Sequence, residues 1–156
     1  MSSDPAAPAD LADADLRCAS AMDADDVAVL LSDLGYPCDV ADAARRIDTI
    51  LHNDRQALLV ARCGGVVCGL VALDFMYYLP LDTTTCRITA LVVTADAQRR
   101  GLGRQLLREA ERRARAAGAA RIELTSGSQR EDAHAFYRAC GYSDGTVRFI
   151  KRLGDA

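Results

Sequence analysis

Residues 98–104 form a basic, glycine-containing segment whose residue types predict binding of an anion. The segment lies between an apolar predicted strand and a long predicted helix, so its two glycines stand at a helix N-terminus. Unpaired N–H groups and the helix dipole favour negative charge there, and glycine lets a phosphate approach the main chain. Arg99, Arg100 and Arg104 add positive charge. The segment predicts a phosphate-binding loop, with a simple turn as the alternative.

Two well-known nucleotide-binding loops do not match this segment. A P-loop ends in GK[ST], whereas Gly103 is followed by Arg104 and Gln105. A dinucleotide fingerprint needs a small residue where Leu106 stands, and it needs glycines directly after the strand. Both interpretations are therefore disfavoured.

The hydrophobic periodicity around the segment predicts one α/β domain. Strands are predicted over 15–19, 57–62, 66–76, 87–94, 122–125 and 146–153. Helices are predicted where apolar stripes span 27–34, 40–51, 102–117 and 133–140. A hairpin is expected at 63–65, and a loop at 77–85 because of Pro80 and the threonine run. Residues 90–93 are apolar on both faces, which is typical of a central strand.

Length and composition support a single hydrophobic core, and the small net charge excludes a strong electrostatic field around the whole protein. The chain has 156 residues, half of them hydrophobic, and a net charge of -3 from 19 basic and 22 acidic residues. We expect an acidic, flexible tail over 1–14 and a single domain over 15–156. No signal peptide and no apolar run long enough for a bilayer is found, so we expect a cytoplasmic protein without a membrane or nucleic-acid partner.

The cysteines predict neither a disulfide framework nor a metal site. No CxxC pair occurs, and most of the cysteines fall inside predicted strands or helices. We expect them to be reduced, small core residues. The six are Cys18, Cys38, Cys63, Cys68, Cys86 and Cys140.

The run from 87 to 153 resembles the Gcn5-related N-acetyltransferase (GNAT) superfamily. The resemblance rests on Q-x-x-G-x-G, which begins at Gln98, and on A-x-x-F-Y-x-x-x-G-Y, which begins at Ala133. The preceding strand, two helices and hairpin also match the order of elements in this family, so the resemblance covers about nine-tenths of the chain. It implies an α/β (α+β) fold with a mixed central sheet of about seven strands, a splayed pair formed by the fourth and fifth strands, and four helices.

The resemblance also implies a reaction: acetyl-CoA, without a metal, would donate its acetyl group to a primary amine of a small molecule by direct attack in a ternary complex. Main-chain groups of Leu91 and Val93 would bind pantetheine, and an N–H near Val92 would polarise the thioester carbonyl. Tyr137 would protonate the departing thiolate. The implied CoA-binding residues are Leu91, Val92, Val93, Gln98, Arg99, Arg100, Gly101, Leu102, Gly103, Arg104, Arg130, Ala133 and Tyr137.

One position departs from the family pattern, and several residues remain candidates for binding the acceptor and for acting as the base. Arg130 stands where members of the family often carry asparagine, and it could reach a phosphate instead. Candidate acceptor contacts are Asp74, Tyr77, Tyr78 and Asp82. The general base could be Asp74, Glu123, Asp82 or a water chain, whereas His52 and His134 are interpreted as surface residues.

Other functions fit the same sequence. A non-catalytic module could bind acyl-CoA through the same main-chain groups, and the acceptor could be a protein N-terminus or a lysine. Nucleic-acid or histone-tail binding by the arginines of 99–115 is disfavoured, because Glu109 and Glu111 are interleaved with them. A homodimer formed through the last strand is possible in this family.

Overall fold

The computed structural model describes residues 14–154, and the chain divides into two compact units. One unit ends at Thr125 and the other begins at Ser126. The prediction of a single domain over 15–156 stays a prediction. The predicted tail over 1–14 lies outside the described residues except for Ala14, whose N–H donates to Oε1 of Gln105 at 3.0 Å.

A mixed sheet forms the first unit. Its strands are β1 (Asp15–Cys18), β2 (Gln56–Cys63), β3 (Val66–Tyr78), β4 (Thr83–Val93) and β5 (Ala119–Leu124). They lie side by side in chain order; β1 to β4 are antiparallel neighbours and β5 is parallel to β4. The predicted α/β class and mixed sheet are confirmed, but the predicted number of about seven strands is wrong for residues 14–154, which form five.

The part of the chain that the structure describes forms four α-helices, as predicted: α1 (Ala24–Asp33), α2 (Val40–Leu51), α3 (Leu102–Ala116) and α4 (Glu131–Ala139). The Asp39 side chain caps α2 by accepting from the N–H of Asp42 at 2.7 Å. Gly118 follows α3 with a φ of 76°, which suits the residue after a helix. None of the helices in the described part of the chain is long and apolar enough to cross a bilayer.

Helices cover both faces of the sheet. On one face, α1 and α2 pack their apolar stripes on Leu58, Val60 and Leu70. On the other face, α3 lies close to β3 at Gly69. A Cβ at that glycine would come within 3.2 Å of two leucine side chains of α3, so the absence of a side chain allows the contact. The sheet is thereby covered around the position where β4 ends.

An ion pair joins the end of β1 to the start of α1. The carboxylate of Asp23, which is 5 % exposed, accepts from both terminal nitrogens of Arg17 at 2.8 Å. It also accepts from the N–H of Ser20 at 2.8 Å. These hydrogen bonds, above all those from Arg17, lower the pKa of Asp23 below its usual value of 3.8.

We expect Asp23→Asn to lower the free energy of unfolding by about 2 kcal/mol at pH 7, less than for a fully buried pair because Arg17 is partly exposed. A lowered pKa in the folded state stabilises the fold above the unfolded-state pKa, and this contribution is lost as the pH falls through the folded-state pKa. Urea unfolding should therefore show a gap between the two proteins at pH 7 that closes below about pH 4. Asp48→Asn on the exposed side of α2 is the control. A difference in unfolding free energy that is the same at pH 7 and below about pH 4 would contradict the prediction.

Two cysteines form a disulfide, which corrects the expectation that all six are reduced. Cys63 and Cys68 are bonded across the β2–β3 hairpin, with a Cα–Cα distance of 6.1 Å. A search for CxxC misses this pair, because the hairpin and not the spacing brings the two residues together. Cys86 agrees with the expectation: it is buried, and burial, with the nearby charge of Asp74, raises its pKa to about 11.

The predicted loop over 77–85 is mostly strand. The structure extends β3 to Tyr78 and begins β4 at Thr83, so that only a short turn with Pro80 remains between them. Threonine has a high strand propensity, and a proline in the turn needs no N–H partner. Asp82 closes the turn with a φ of 48°.

The predicted final strand over 146–153 is not formed in the described residues, where 143–154 carry no strand. Val147 and Phe149, two residues of the alternating pattern, are 78 % and 92 % exposed. A strand needs a neighbouring edge for its N–H and C=O groups, and an alternating sequence does not supply one. The predicted homodimer contact through this segment stays a prediction.

Candidate active site

The last part of β4 lies beyond its pairing with β5. The parallel ladder ends where Ile88 stands opposite Leu124, whereas β4 continues to Val93. Among residues 14–154, residues 89–93 therefore pair with a strand on one side only, the side of β3. We call their other side the open edge. The splayed pair that the family resemblance implies for the fourth and fifth strands stays a prediction, because β5 ends at Leu124, where the ladder ends.

A bulge separates the two parts of β4. Ala90 stands opposite Ala72, and Ile88 stands opposite Leu73, so Thr89 is an extra residue in β4. Its hydroxyl lies 3.5 Å from the carbonyl oxygen of Ala72. The open edge begins at this bulge.

Hydrogen bonds to β3 fix the direction of the peptide groups after the bulge. The N–H of Thr94 donates to the carbonyl oxygen of Cys68 at 2.8 Å. Bonded and non-bonded pairs alternate along antiparallel strands, so Val92 also exchanges its bonds with β3. The peptide groups of Leu91 and Val93 then point away from β3, toward the open edge.

Gln98 provides an independent check of this direction. Its side-chain amide donates to the carbonyl oxygen of Val93 at 3.1 Å, on the side away from β3. The same bond ties the loop after β4 to the end of the strand.

The predicted phosphate-binding loop leads directly into α3. Arg99 and Gly101 have φ values of 63° and 82°, and Gly101 is the residue that precedes the helix. The first helical hydrogen bond runs from the N–H of Gln105 to the carbonyl oxygen of Gly101 at 3.1 Å. The earlier N–H groups of the first turn have no acceptor within the helix. Those groups belong to Leu102, Gly103 and Arg104. The start of α3 lies near the end of the open edge, because the side chain of Leu102 reaches Gly69, which stands opposite Val93.

In the second unit, α4 carries the remaining predicted residues. Ala133 and Tyr137 are four residues apart and lie on the same side of this helix, which Arg130 precedes. Burial raises the pKa of the Tyr137 phenol, an effect that Arg130 partly opposes, so the hydroxyl keeps its proton at neutral pH. His134 makes a hydrogen bond between Nε2 and the carbonyl oxygen of Gly127 at 2.8 Å.

A row of charged residues crosses β3, β4 and β5 on the face that α1 and α2 also cover. Asp74 stands opposite Arg87, and Arg87 stands opposite Glu123. Glu123 accepts from Arg87 at 2.7 Å and also pairs with Arg121 at 3.3 Å. No hydrogen bond or ion pair to the carboxylate of Asp74 is found within residues 14–154. Of the candidate bases, Glu123 is therefore paired with two arginines, whereas Asp74 is half-buried.

Three of the predicted acceptor contacts lie at the other end of the sheet. The hydroxyl of Tyr77 donates to Asp82 at 2.8 Å, and this bond raises the pKa of Tyr77. Tyr77 stands opposite Thr84, which is roughly 20 Å from Leu91 along an extended strand. Tyr78 is also at this end, with the guanidinium of Arg121 4.0 Å from the centre of its ring. The structure does not bring these residues to the open edge.

Comparison with known proteins decides the family. Residues 25–142 match the sequence profile of the Acetyltransferase (GNAT) family. The chain belongs to this family. It is similar to the aminoalkylphosphonate N-acetyltransferase of Salmonella typhimurium (strain LT2), with 33% identity over 144 residues that cover 89% of this chain and 91% of that protein.

Solved GNAT structures share the fold. A GNAT family acetyltransferase of Staphylococcus aureus is 25% identical, with a TM-score of 0.77 over 89% of this chain and 98% of that one. An aminoglycoside N-acetyltransferase in complex with CoA is 18% identical, with a TM-score of 0.78 over 89% of this chain and 93% of that one. These likenesses and the family match identify the chain as a GNAT-type acetyltransferase.

Sequence reasoning identified the loop of this GNAT protein but missed two features beside it. The position of the bulge was missed because one extra residue in an apolar run leaves no signal in hydrophobic alternation. The bond from Gln98 to Val93 was also missed. The glutamine of Q-x-x-G-x-G was the signal available, but its partner depends on the path of the loop.

Proposed function

We propose that this chain transfers an acetyl group from acetyl-CoA to a primary amine of a small molecule. The open edge next to the start of α3 is the observation that carries the proposal. The carbonyl group of Leu91 and the N–H of Val93 can pair with the amides of pantetheine as an added strand would. The free N–H groups of the first turn of α3 can bind the pyrophosphate. One extended ligand could therefore span both features.

The proposed reaction is direct attack of the amine on the thioester. We assign the oxyanion to the N–H of Leu91 and not of Val92, because the N–H of Val92 is used in the pairing with β3. As the C–N bond forms and the C–S bond breaks, Tyr137 donates its proton to the thiolate and is reprotonated from solvent. Asp74, or a water, accepts the proton that the amine loses.

For the acceptor, we propose short aminoalkyl compounds, including aminoalkylphosphonates. The curated relative from Salmonella supports this class by its name. Asp74 supports it by its position, because a carboxylate without a partner in the described residues can bind an ammonium group.

Thiol release tests the proposal directly. We expect acetyl-CoA to release free CoA when an aminoalkylphosphonate or a simple alkylamine is added, and more slowly with a lysine-containing peptide. Isothermal titration with acetyl-CoA is the companion measurement. Binding without thiol release for any amine would favour the non-catalytic module, and fastest release with the peptide would favour a protein substrate.

A further inference from the structure

A small apolar cavity lies between the sheet and the helices α1 and α2. Its volume is about 180 Å³, and eight of its nine lining residues are apolar. Leu31 and Ile50 line it from the helices, and Leu70, Ala72 and Ala90 line it from the sheet. The proposed reaction with an acetyl group does not use this space.

The cavity begins next to the proposed position of the thioester carbonyl. Ala90 directly precedes Leu91 and follows the bulge at Thr89. The side chain of Ala90 lines the cavity, whereas the N–H of Leu91 points toward the open edge. One residue advances a strand by about 3.3 Å, so a group attached to that carbonyl is within reach of the cavity.

The chemistry of the walls favours a hydrocarbon occupant. A charged amine would lose its hydration in this cavity without gaining a partner among the apolar side chains. The ninth lining residue, Arg46, is exposed, so its aliphatic stem can border the cavity while its guanidinium stays in water. Ala72 and Ala90 leave room for the cavity because both side chains are small.

We infer, on the basis of the proposed function, that this cavity accepts the hydrocarbon tail of an acyl group longer than acetyl. Ala72 and Ala90 then determine acyl-chain specificity. The transfer balances as it does for acetyl: the acyl C–S bond breaks, the C–N bond forms, and the thiolate receives a proton. The reaction needs no further reactant.

A series of acyl-CoA donors tests the inference. Acetyl-, propionyl-, butyryl- and hexanoyl-CoA would be compared with one amine by thiol release. We expect kcat/KM to rise about fourfold for each methylene up to butyryl, because each buried methylene gains hydrophobic free energy. A series that is flat or falls from acetyl would overturn the inference.

Succinyl-CoA separates a hydrocarbon site from a carboxylate site at Arg46. It has the chain length of butyryl-CoA but ends in a carboxylate, so we expect kcat/KM at least tenfold below that of butyryl-CoA. A higher value for succinyl-CoA would contradict the hydrocarbon assignment.

Two variants that fill the cavity locate the effect. Ala72→Val fills it from β3, and Leu31→Phe fills it from α1 should the first variant fold poorly. Each should lower kcat/KM for butyryl-CoA about tenfold and change the acetyl-CoA value less than twofold. Ala57→Val is the matched control, because Ala57 lies on β2 with its side chain on the opposite face. An equal loss for both donors would count against the cavity.

The outcomes also separate the inference from the proposed function. No thiol release with any thioester and any amine would overturn both. Turnover of acetyl-CoA without a gain from longer chains would overturn the inference alone.

Discussion

Tyr137→Phe is expected to lower kcat for acetyl transfer by about 10²- to 10³-fold, the lower part of the range of about 10²- to 10⁴-fold for a positioned general acid. KM for acetyl-CoA should change little, because the hydroxyl acts on the leaving sulfur and not on the bound nucleotide. Stopped-flow thiol release at saturating substrates measures kcat. Tyr36→Phe is the control, since Tyr36 is an exposed tyrosine of the first unit.

The pH profile distinguishes an acid from a packing residue. Burial raises the pKa of Tyr137, so the phenol stays protonated beyond pH 10, and kcat of the wild-type protein should fall only above that value. The variant has no such phenol, and its remaining activity should not show this fall. Equal rates and equal profiles for the two proteins would remove the acid role.

Arg104→Glu is expected to weaken binding of CoA about 50-fold, because it reverses a charge beside a diphosphate at the start of α3. The substitution should not destabilise the helix, since acidic residues are favourable in a first turn. Isothermal titration with CoA gives the affinity, and thermal unfolding checks the fold. The loss should shrink at high salt, because Arg104 is exposed and its charge is screened.

A matched substitution one turn later tests whether position matters. Arg108→Glu makes the same change on the exposed side of α3, farther from the free N–H groups. We expect it to change the affinity less than threefold, because the helix-terminus field is confined to the first turn. Equal losses for the two variants would indicate a general effect of net charge and not a pyrophosphate site.

The sequence predicted the helices well because local signals specify them. Asp39 marks the start of α2, Gly118 follows the end of α3, and the apolar stripes between such signals have helical spacing. The strands on either side of residues 63–65 were predicted for a similar reason, because the two glycines there indicate a turn.

Features that depend on distant partners could not be predicted in the same way. The alternation of 146–153 predicts a strand, but a strand also needs an edge, and the sequence does not show where that edge would be. The disulfide between Cys63 and Cys68 follows from the hairpin. The salt bridges of Glu123 with Arg87 and Arg121 follow from the register of β4 and β5. The open edge is likewise a property of two strands together.

The extra residue at Thr89 changes which positions of β4 point to each face of the sheet. Before it, odd-numbered positions such as Arg87 share a face with Asp74, and after it even-numbered positions such as Ala90 take over that face. Without Thr89, Ile88 would still stand opposite Leu73 and Ala90 opposite Ala72, so both faces of the sheet would keep their residues and only the extra residue would be lost. The consequence of the bulge is therefore a local bend of β4 and not an exchange of residues between the two faces of the sheet.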